Sequence, residues 1–470
     1  MLIVIKKPHD GTKSDQSEAE KLLIQMYYNP LFLQTVSVQE AVFYDTDLGH
    51  LHRSIPFKEL ASKIPSPAQQ NSGRGRKPFF KVEGGIALLV LKHYTGLSDE
   101  MLIDRLNTDW CLQYFCGVQL GLRKIKDRNL VSWWRCYIAR HLDLGELQGI
   151  LIHHWKPLMD QSHVTMMDAT VYESNIRYPT DTKLLWESIG QVYGILTQKR
   201  KLFKLRRSRS HYARHKKSYL SYQRNRRKSK RKEKKLRKQL LKYLLRLSQS
   251  LQKLQQQHQF RYSNKEQRLL QTIQTVYEQQ HELLYGIREN VKQRIVSLHK
   301  PHVRPIIRGK EVKPVEFGAK VHKLQVSGIS FIEHLSYENF NEGTRLKQSV
   351  AFHRKHFGKL SQLAADAIYA TNENRRYCTA LNITTSFVAK GKQGHLQDQK
   401  AVMRSTLSTI RATVLEGSFG NEKKHYLLDK VRARTKQTEV TWIFFGMLTA
   451  NASIMSKRIE ENKKYQQRRA

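Results

Sequence analysis

Cysteine is scarce in this chain: Cys111, Cys116, Cys136 and Cys378 are the four in 470 residues, and no two form a CxxC pair. That spacing supports neither a zinc site nor a disulfide framework, so a reducing, cytoplasmic setting is the expectation. Acidic residues are few as well. Forty Asp and Glu face 83 Lys and Arg, which leaves a formal net charge of +43. Long apolar runs are missing: none reaches the roughly 20 residues of a membrane-spanning helix, and no membrane partner is expected. The opening run Met1-Leu-Ile-Val-Ile-Lys-Lys7 is followed, not preceded, by charge. It is therefore not expected to act as a signal peptide.

What is present is a large basic surplus over an apolar content of 39%. The length suits two or three domains with real cores. A surplus of this size speaks of a polyanionic partner, and nucleic acid is the first choice. The charge is concentrated. Between Gln198 and Leu240 there are 21 Lys or Arg and one acid, Glu233. Such a block is expected to be solvated when free and to bind phosphates with salt-sensitive affinity. Arg206, Arg207, Arg226 and Arg227 are its candidate phosphate contacts. Tyr212, Tyr219 and Tyr222 are interleaved with the charge, to stack on bases or to pack a helix.

Along the chain, residues 1–78 mix short helical and irregular segments and end in the basic loop Ser72-Gly-Arg-Gly-Arg-Lys-Pro78. Residues 79–160 read as helical. Gly84 to Tyr94 is an apolar helix, Gly96 ends it, and Ser98 caps the next, whose apolar face is Met101, Leu102, Leu106, Trp110 and Leu112. Two helices around a Gly turn are compatible with a helix-turn-helix, although helical hairpins of other proteins pack in the same way. After the 198–240 block, Leu240, Leu244, Leu247, Leu251 and Leu254 alternate spacings of four and three. Leu269, Ile273, Val276, Leu283 and Ile287 resume the pattern, with Gln280 at one polar position. This predicts an antiparallel helical hairpin or coiled coil, and allows a dimer contact. Pro301 to Pro314 is a basic linker. Val315–Val326 and Gly328–Ser336 read as antiparallel strands joined at Ser327-Gly328, followed by a helix from about Thr344 to Phe357. The run Val440–Ala450 predicts a buried C-terminal helix.

Three carboxylates stand out. Asp168 lies in the β-like run Val164-Thr-Met-Met-Asp-Ala-Thr-Val-Tyr-Glu173, and Asp366 in Leu363-Ala-Ala-Asp-Ala-Ile-Tyr369. A buried carboxylate needs compensation, by backbone donors at a strand end or by a metal ion. Glu416 opens a predicted helix, and Lys423 follows seven residues later on the same face. Lys423 would hold a DNA phosphate or stand as an ordinary solvated lysine. Asp181, after Pro179, reads as a helix cap rather than a catalytic group. Three converging carboxylates repel one another unless a divalent cation relieves them. Hard oxygen ligands suit Mg²⁺ or Mn²⁺, and a pair of ions would serve phosphodiester chemistry.

These stretches, together with Tyr178-Pro-Thr-Asp181, Val315-Glu-Phe-Gly-Ala-Lys320, Glu416-Gly-Ser-Phe-Gly420 and the helical Leu97–Gly117 segment, resemble the DDE transposases of bacterial insertion sequences. The resemblance spans most of residues 80–455. It implies a mixed α/β fold: an RNase H-like catalytic domain at 161–197 and 301–470, interrupted by a basic helical-hairpin insertion at 198–300. An all-helical, DNA-end-binding domain at 79–160 would precede it. It further implies that Asp168, Asp366 and Glu416 bind Mg²⁺ (or Mn²⁺), two ions in all, and that the protein cuts and rejoins DNA at terminal inverted repeats. DNA, both element ends and target, would be the partner, with a possible homodimer in the end complex and a cytoplasmic, nucleoid-associated location. Many relatives carry a Tyr-Arg-Glu-Lys signature around the last acid. Glu416 and Lys423 fit it, Arg411 stands one residue too far from Glu416, and no Tyr takes the expected place. Arg411 is its candidate phosphate contact, and Glu422 is the rival third acid. Two other readings stay open: an inactive nucleic-acid-binding derivative of a transposase, and an RNase H-like nuclease without a joining step.

Overall fold

A computed structural model describes residues 38–67, 80–121, 123–206, 209–289, 291–308, 314–390 and 397–467. Arg207, the loop Ser72–Pro78 and residues 1–37 lie outside the described residues. The chain divides into two compact units: Met1–Lys92 with Leu97–Val131 and Ala452–Ala470, and His93–Gly96 with Ser132–Asn451.

In the first unit the helices are short and sharply capped. Helix α1 (Asp47–Arg53) is capped by Thr46, and α2 (Phe57–Ser62) follows. Helix α3 (Val82–Thr95) is almost uniformly apolar and is buried from Ile86 to Leu91. Gly96 then takes φ 68°, a conformation that costs glycine little. Ser98 caps α4 (Asp99–Leu106) by accepting the Met101 N–H at 3.1 Å. Asp109 caps α5 (Trp110–Phe115). Leu102, Leu106 and Leu112 are buried as the periodicity requires, but Met101 and Trp110 are exposed. They lie on the flank of the apolar stripe, so the buried face is narrower than the sequence pattern. Rings of Phe43, Tyr114, Phe57 and Phe115 pack the centre.

The second unit is mixed α/β. Helices α6 (Leu130–His141) and α7 (Leu144–Trp155) lead into β1 (Val164–Ser174), the strand around which the sheet is built. The other strands are β2 (Pro305–Ile307), β3 (Val315–Val326), β4 (Ile329–Ser336), β5 (Gln362–Ala364), β6 (Thr384–Thr385) and β7 (Lys430–Val431). Strand β3 runs antiparallel along one edge of β1, with β4 and the short β2 on its far side. Strand β5 runs parallel to β1 at Val164–Met166, β6 runs parallel to β5, and β7 pairs with Glu173 and Ser174. Ser327 and Gly328 both have positive φ, the geometry of a two-residue hairpin turn. Gly318 meets the backbone of Tyr172 so closely that a Cβ there would lie 2.1 Å from the Tyr172 carbonyl oxygen.

Between β1 and β2 the chain forms α8 (Asp181–Leu202), α9 (Tyr212–Arg224), α10 (Lys230–His258) and α11 (Asn264–Tyr285). The sequence suggested a basic insertion at 198–300 whose two-helix seam begins at Leu240. Helix α8 runs through residue 198, and the leucines of α10 bury against α8 and α11 in one core with Leu184, Ile189 and Val192. The leucine seam therefore closes within one chain. Leu284, not Leu283, takes the buried position near the end of α11, and Ile287 lies beyond the helix, exposed. Tyr212, Tyr219 and Tyr222 pack against this core, so they are helix-packing residues.

One face of the sheet carries α12 (Leu346–Phe357) and α13 (Asn372–Ala380), which close on Met167 and Leu363. The other face carries α14 (Gln397–Ile410), a π turn (Arg411–Leu415) and α15 (Glu416–His425), which run as one helix. Leu407 and Leu415 pack there on Met166 and Ala364. Helix α16 (Lys436–Gln467) contains the predicted buried run, with Trp442, Ile443 and Met447 in the core beneath Tyr172 and Leu428. Among the described residues no helix is long and apolar enough to cross a membrane.

Candidate active site

Strand alternation sends Met166, Asp168, Thr170 and Tyr172 to one face of β1. Each meets the helical run that crosses that face. Met166 packs on Leu407 and Leu415. The Arg411 guanidinium lies 2.9 Å from Asp168 Oδ2, Lys423 donates to Thr170 Oγ1 at 3.0 Å, and the Tyr172 hydroxyl donates to Glu422. On its β5 side β1 is paired only up to Met166, and on its β7 side only from Glu173. Asp168 thus opens into a notch between two short neighbours.

Asp366 stands beside that notch. Met166 pairs with Ala364, so Asp168 and Asp366 each lie two residues past the same rung of adjacent parallel strands. The Asp366 charge acts on Asp168, so the two carboxylates are neighbours. Asp366 is not within a strand, as its sequence suggested. It lies just past β5, exposed, and accepts the Ala367 N–H at 2.7 Å. Asp168 accepts the Ala169 N–H at 2.7 Å. Its carboxyl is pushed up to about 6, first by burial and then by the charges of Glu342 and Asp366, against the pull of Ala169 N–H and Arg411. Burial thus outweighs both the backbone donor and the Arg411 guanidinium.

Glu416 reaches Asp168 only through Arg411, whose Nη1 lies 3.2 Å from Glu416 Oε1. Among the described residues no three Asp, Glu, His or Cys side chains close on one point as a metal-holding cluster. Arg411 owes its place to the π turn. The Glu416 N–H donates to the Arg411 carbonyl, five residues back, so the turn holds one residue more than an α-turn. That extra residue absorbs the one-residue offset in the sequence, and Arg411 faces Glu416 as a residue four positions back would in an α-helix. Arg411 is held by carboxylates, not presented to solvent.

Glu422, the rival acid, is committed elsewhere. Lys323 stands opposite Asp168 on β3, fully buried, with Nζ 2.7 Å from Glu422 Oε1 and 3.0 Å from Ser418 Oγ. Burial lowers the Lys323 pKa, against the opposing pull of Glu422 and Asp168. Glu422 therefore anchors α15 to the sheet.

Three further residues border the site and carry no sequence signal of their own. Glu342 lies 2.8 Å from Lys320 Nζ and 3.7 Å from Arg308. Tyr369 is buried, its hydroxyl 2.8 Å from His322 Nε2, and burial together with Glu342, Asp168 and Asp366 holds its pKa well above the usual value. His322 in turn lies 3.0 Å from Glu333, which Arg345 also holds. His322 comes from β3, whereas Glu342 and Tyr369 come from the short 3-10 turns Glu342–Arg345 and Ala367–Tyr369.

Of the other candidates, Arg206, Arg226 and Arg227 are exposed. Asp181 is the first residue of α8, and Thr180 holds the cap position without a side-chain bond. Asp181 instead pairs with Arg294 and, at 3.1 Å, with Arg237, and it accepts from Gln280 at 3.0 Å. Burial raises its pKa, but the two arginines outweigh this and the net shift is downward.

The mixed α/β unit thus holds one carboxylate within β1 and another just past β5, and it includes a strongly basic set of helices. Comparison with known families narrows the class. Residues 363–452, which contain Asp366, Glu416 and Lys423, match the family described as Transposase DDE domain, and residues 36–136 match Transposase domain (DUF772). Both stretches are thus similar to transposase domains, residues 363–452 to the DDE type. No curated protein and no solved structure matches it.

Proposed function

We propose that the protein binds the terminal inverted repeats of its own element and catalyses metal-dependent strand cleavage and transfer. The observation that carries this reading is the placement of Asp168 and Asp366 side by side, with Arg411 joining Asp168 to Glu416 on the covering helix. The sheet order β4-β3-β1-β5-β6, with β3 antiparallel and β5 and β6 parallel to β1, supports an RNase H-like catalytic core. Helices α8 to α11 would be its insertion.

Asp168 and Asp366 fit a divalent cation, since they are hard oxygen donors whose charges act on each other. Bound Mg²⁺ or Mn²⁺ would activate the attacking oxygen and stabilise the leaving one. Glu416 would join them once Arg411 lets go, and Arg411 would then be free for a phosphate. Lys423, at Thr170, would hold the strand beside the carboxylates. Arg206, Arg226 and Arg227, with Arg207, would bind DNA further out, as the family implies a DNA substrate.

The test uses DNA carrying the element's ends, with and without Mg²⁺. Asp168→Asn, Asp366→Asn and Glu416→Gln should each bring 3′-hydroxyl nicking to background while end binding persists. Full nicking by any one variant removes that residue from the site. Nicked ends that never join a target would favour a nuclease, and binding without nicking by the wild-type protein would favour an inactive derivative.

A further inference from the structure

The second unit holds a cavity of about 640 Å³ where β1 ends. Asn175 and Arg177 line it from the segment after β1, Trp186 and Glu187 from α8, Tyr219 from α9, and His299 from the segment after α11. Asn175 is seven residues past Asp168. At the rise of a strand that is about 23 Å, so the cavity is separate from the carboxylate notch.

Its wall is aromatic and fixed. Trp186 and Tyr219 stack with centroids 5.1 Å apart and planes 15° apart. Trp186 also stacks on Tyr212 at 5.2 Å, and Tyr212 on Tyr193 at 4.1 Å. This ladder holds the wall in one orientation. The rim carries one cation, Arg177, which is exposed and acts on Tyr219 through its charge, and the exposed imidazole of His299. Lys300, by contrast, is taken up by Glu439 at 2.6 Å. Glu187 and the Asn175 amide add an acceptor and a mixed donor–acceptor.

An aromatic wall, hydrogen-bonding edges and an exposed guanidinium together make the set that recognises a nucleotide. The aromatic wall takes the base, the polar groups its edge, and Arg177 its phosphate. An apolar ligand would leave Glu187 and Arg177 unpaired, and a bare anion would have no use for the wall. A base held in a duplex cannot enter a concave site of this kind, so the nucleotide must be out of the stack. We propose that this cavity receives one unpaired nucleotide of a DNA strand whose backbone runs over the basic surface of α9 and α10. The inference rests on DNA as the substrate, but not on the carboxylates or on cleavage.

The test measures binding of the full chain, without Mg²⁺, to a duplex of arbitrary sequence and to the same duplex carrying a single 2-aminopurine bulge. The wild-type protein should bind the bulged duplex about tenfold more tightly and quench the 2-aminopurine fluorescence by stacking. Trp186→Ala should remove both effects. Because that change also takes a rung out of the ladder, Arg177→Gln, at an exposed position, provides the second variant. It should lose most of the bulge preference while affinity for the paired duplex stays close to wild type. Asp168→Asn should keep the preference in full, which separates this site from the cleavage reading. Equal wild-type binding of both duplexes, or full preference and quenching in Arg177→Gln, would overturn the proposal.

Discussion

Asp168 is the residue at which sequence and structure meet most directly. One carboxylate among apolar and β-branched neighbours was visible in the sequence, and so was its counterpart Asp366, because charge in a strand pattern is conspicuous. Glu342 and Tyr369 were not visible, since no local pattern marks a residue that a short turn brings to the site from elsewhere in the chain. Arg411 was half visible: its distance from Glu416 looked wrong by one residue, and only the π turn reconciles the two. The pKa of Asp168 supports a direct test. Its folded value, about 6, lies above the ordinary 3.8. The protonated carboxyl is thus the form that folding prefers. That contribution is complete below pH 3.8 and is lost as the pH rises through about 6. Above that range, holding Asp168 ionised in the metal-free protein costs on the order of 3 kcal/mol. Asp168→Asn should therefore stabilise the metal-free protein against urea at pH 8 by roughly 2–3 kcal/mol and change little at pH 4. A variant that loses equal stability at both pH values would show that the Arg411 ion pair outweighs burial.

The helical run across β1 depends on one buried pair. Lys323 and Glu422 are 0% and 2% exposed, and with Ser418 and Tyr172 they tie the first turns of α15 to the sheet two residues past Glu416. The existence of α15 was legible from its sequence. Its anchoring was not, because Lys323 reads as an ordinary strand residue until β3 is set against β1. Removing one member of such a pair leaves an uncompensated buried charge and costs about 3–5 kcal/mol, whereas replacing both with apolar groups is often nearly neutral. Lys323→Met should accordingly lower stability by about that amount. Lys323→Met with Glu422→Leu should recover at least half of the loss in urea unfolding. If single and double variants unfold alike, the pair does not hold the helix. The same limit on legibility applies to α10. Its leucine period was plain, but a period does not name its partner, and α8 proved to be that partner. Asp181 and Gln280, a suspected cap and an odd polar position, turned out to be one polar cluster with Arg237 and Arg294 across these helices.

Over the whole molecule, the net charge of +43 was the plainest sign of a polyanionic partner, and composition alone supplied it. Composition does not say how much of the charged block is free to meet DNA. The structure separates its roles. Leu236, Leu240 and Tyr219 from this block are buried, so deleting 198–240 would remove core together with charge. Arg226, Arg227, Lys230 and Arg231 are exposed at the turn into α10 and touch no part of that core. Changing these four to Gln should leave the fold intact and weaken binding to any duplex. Every phosphate that is no longer neutralised keeps about one counterion, so the slope of log affinity against log salt should flatten by about 0.9 per phosphate. Titration of one duplex at several salt concentrations measures this directly. A weaker but equally steep dependence would mean that these side chains act locally at the turn, and that the electrostatic footprint lies on other lysines and arginines of the chain.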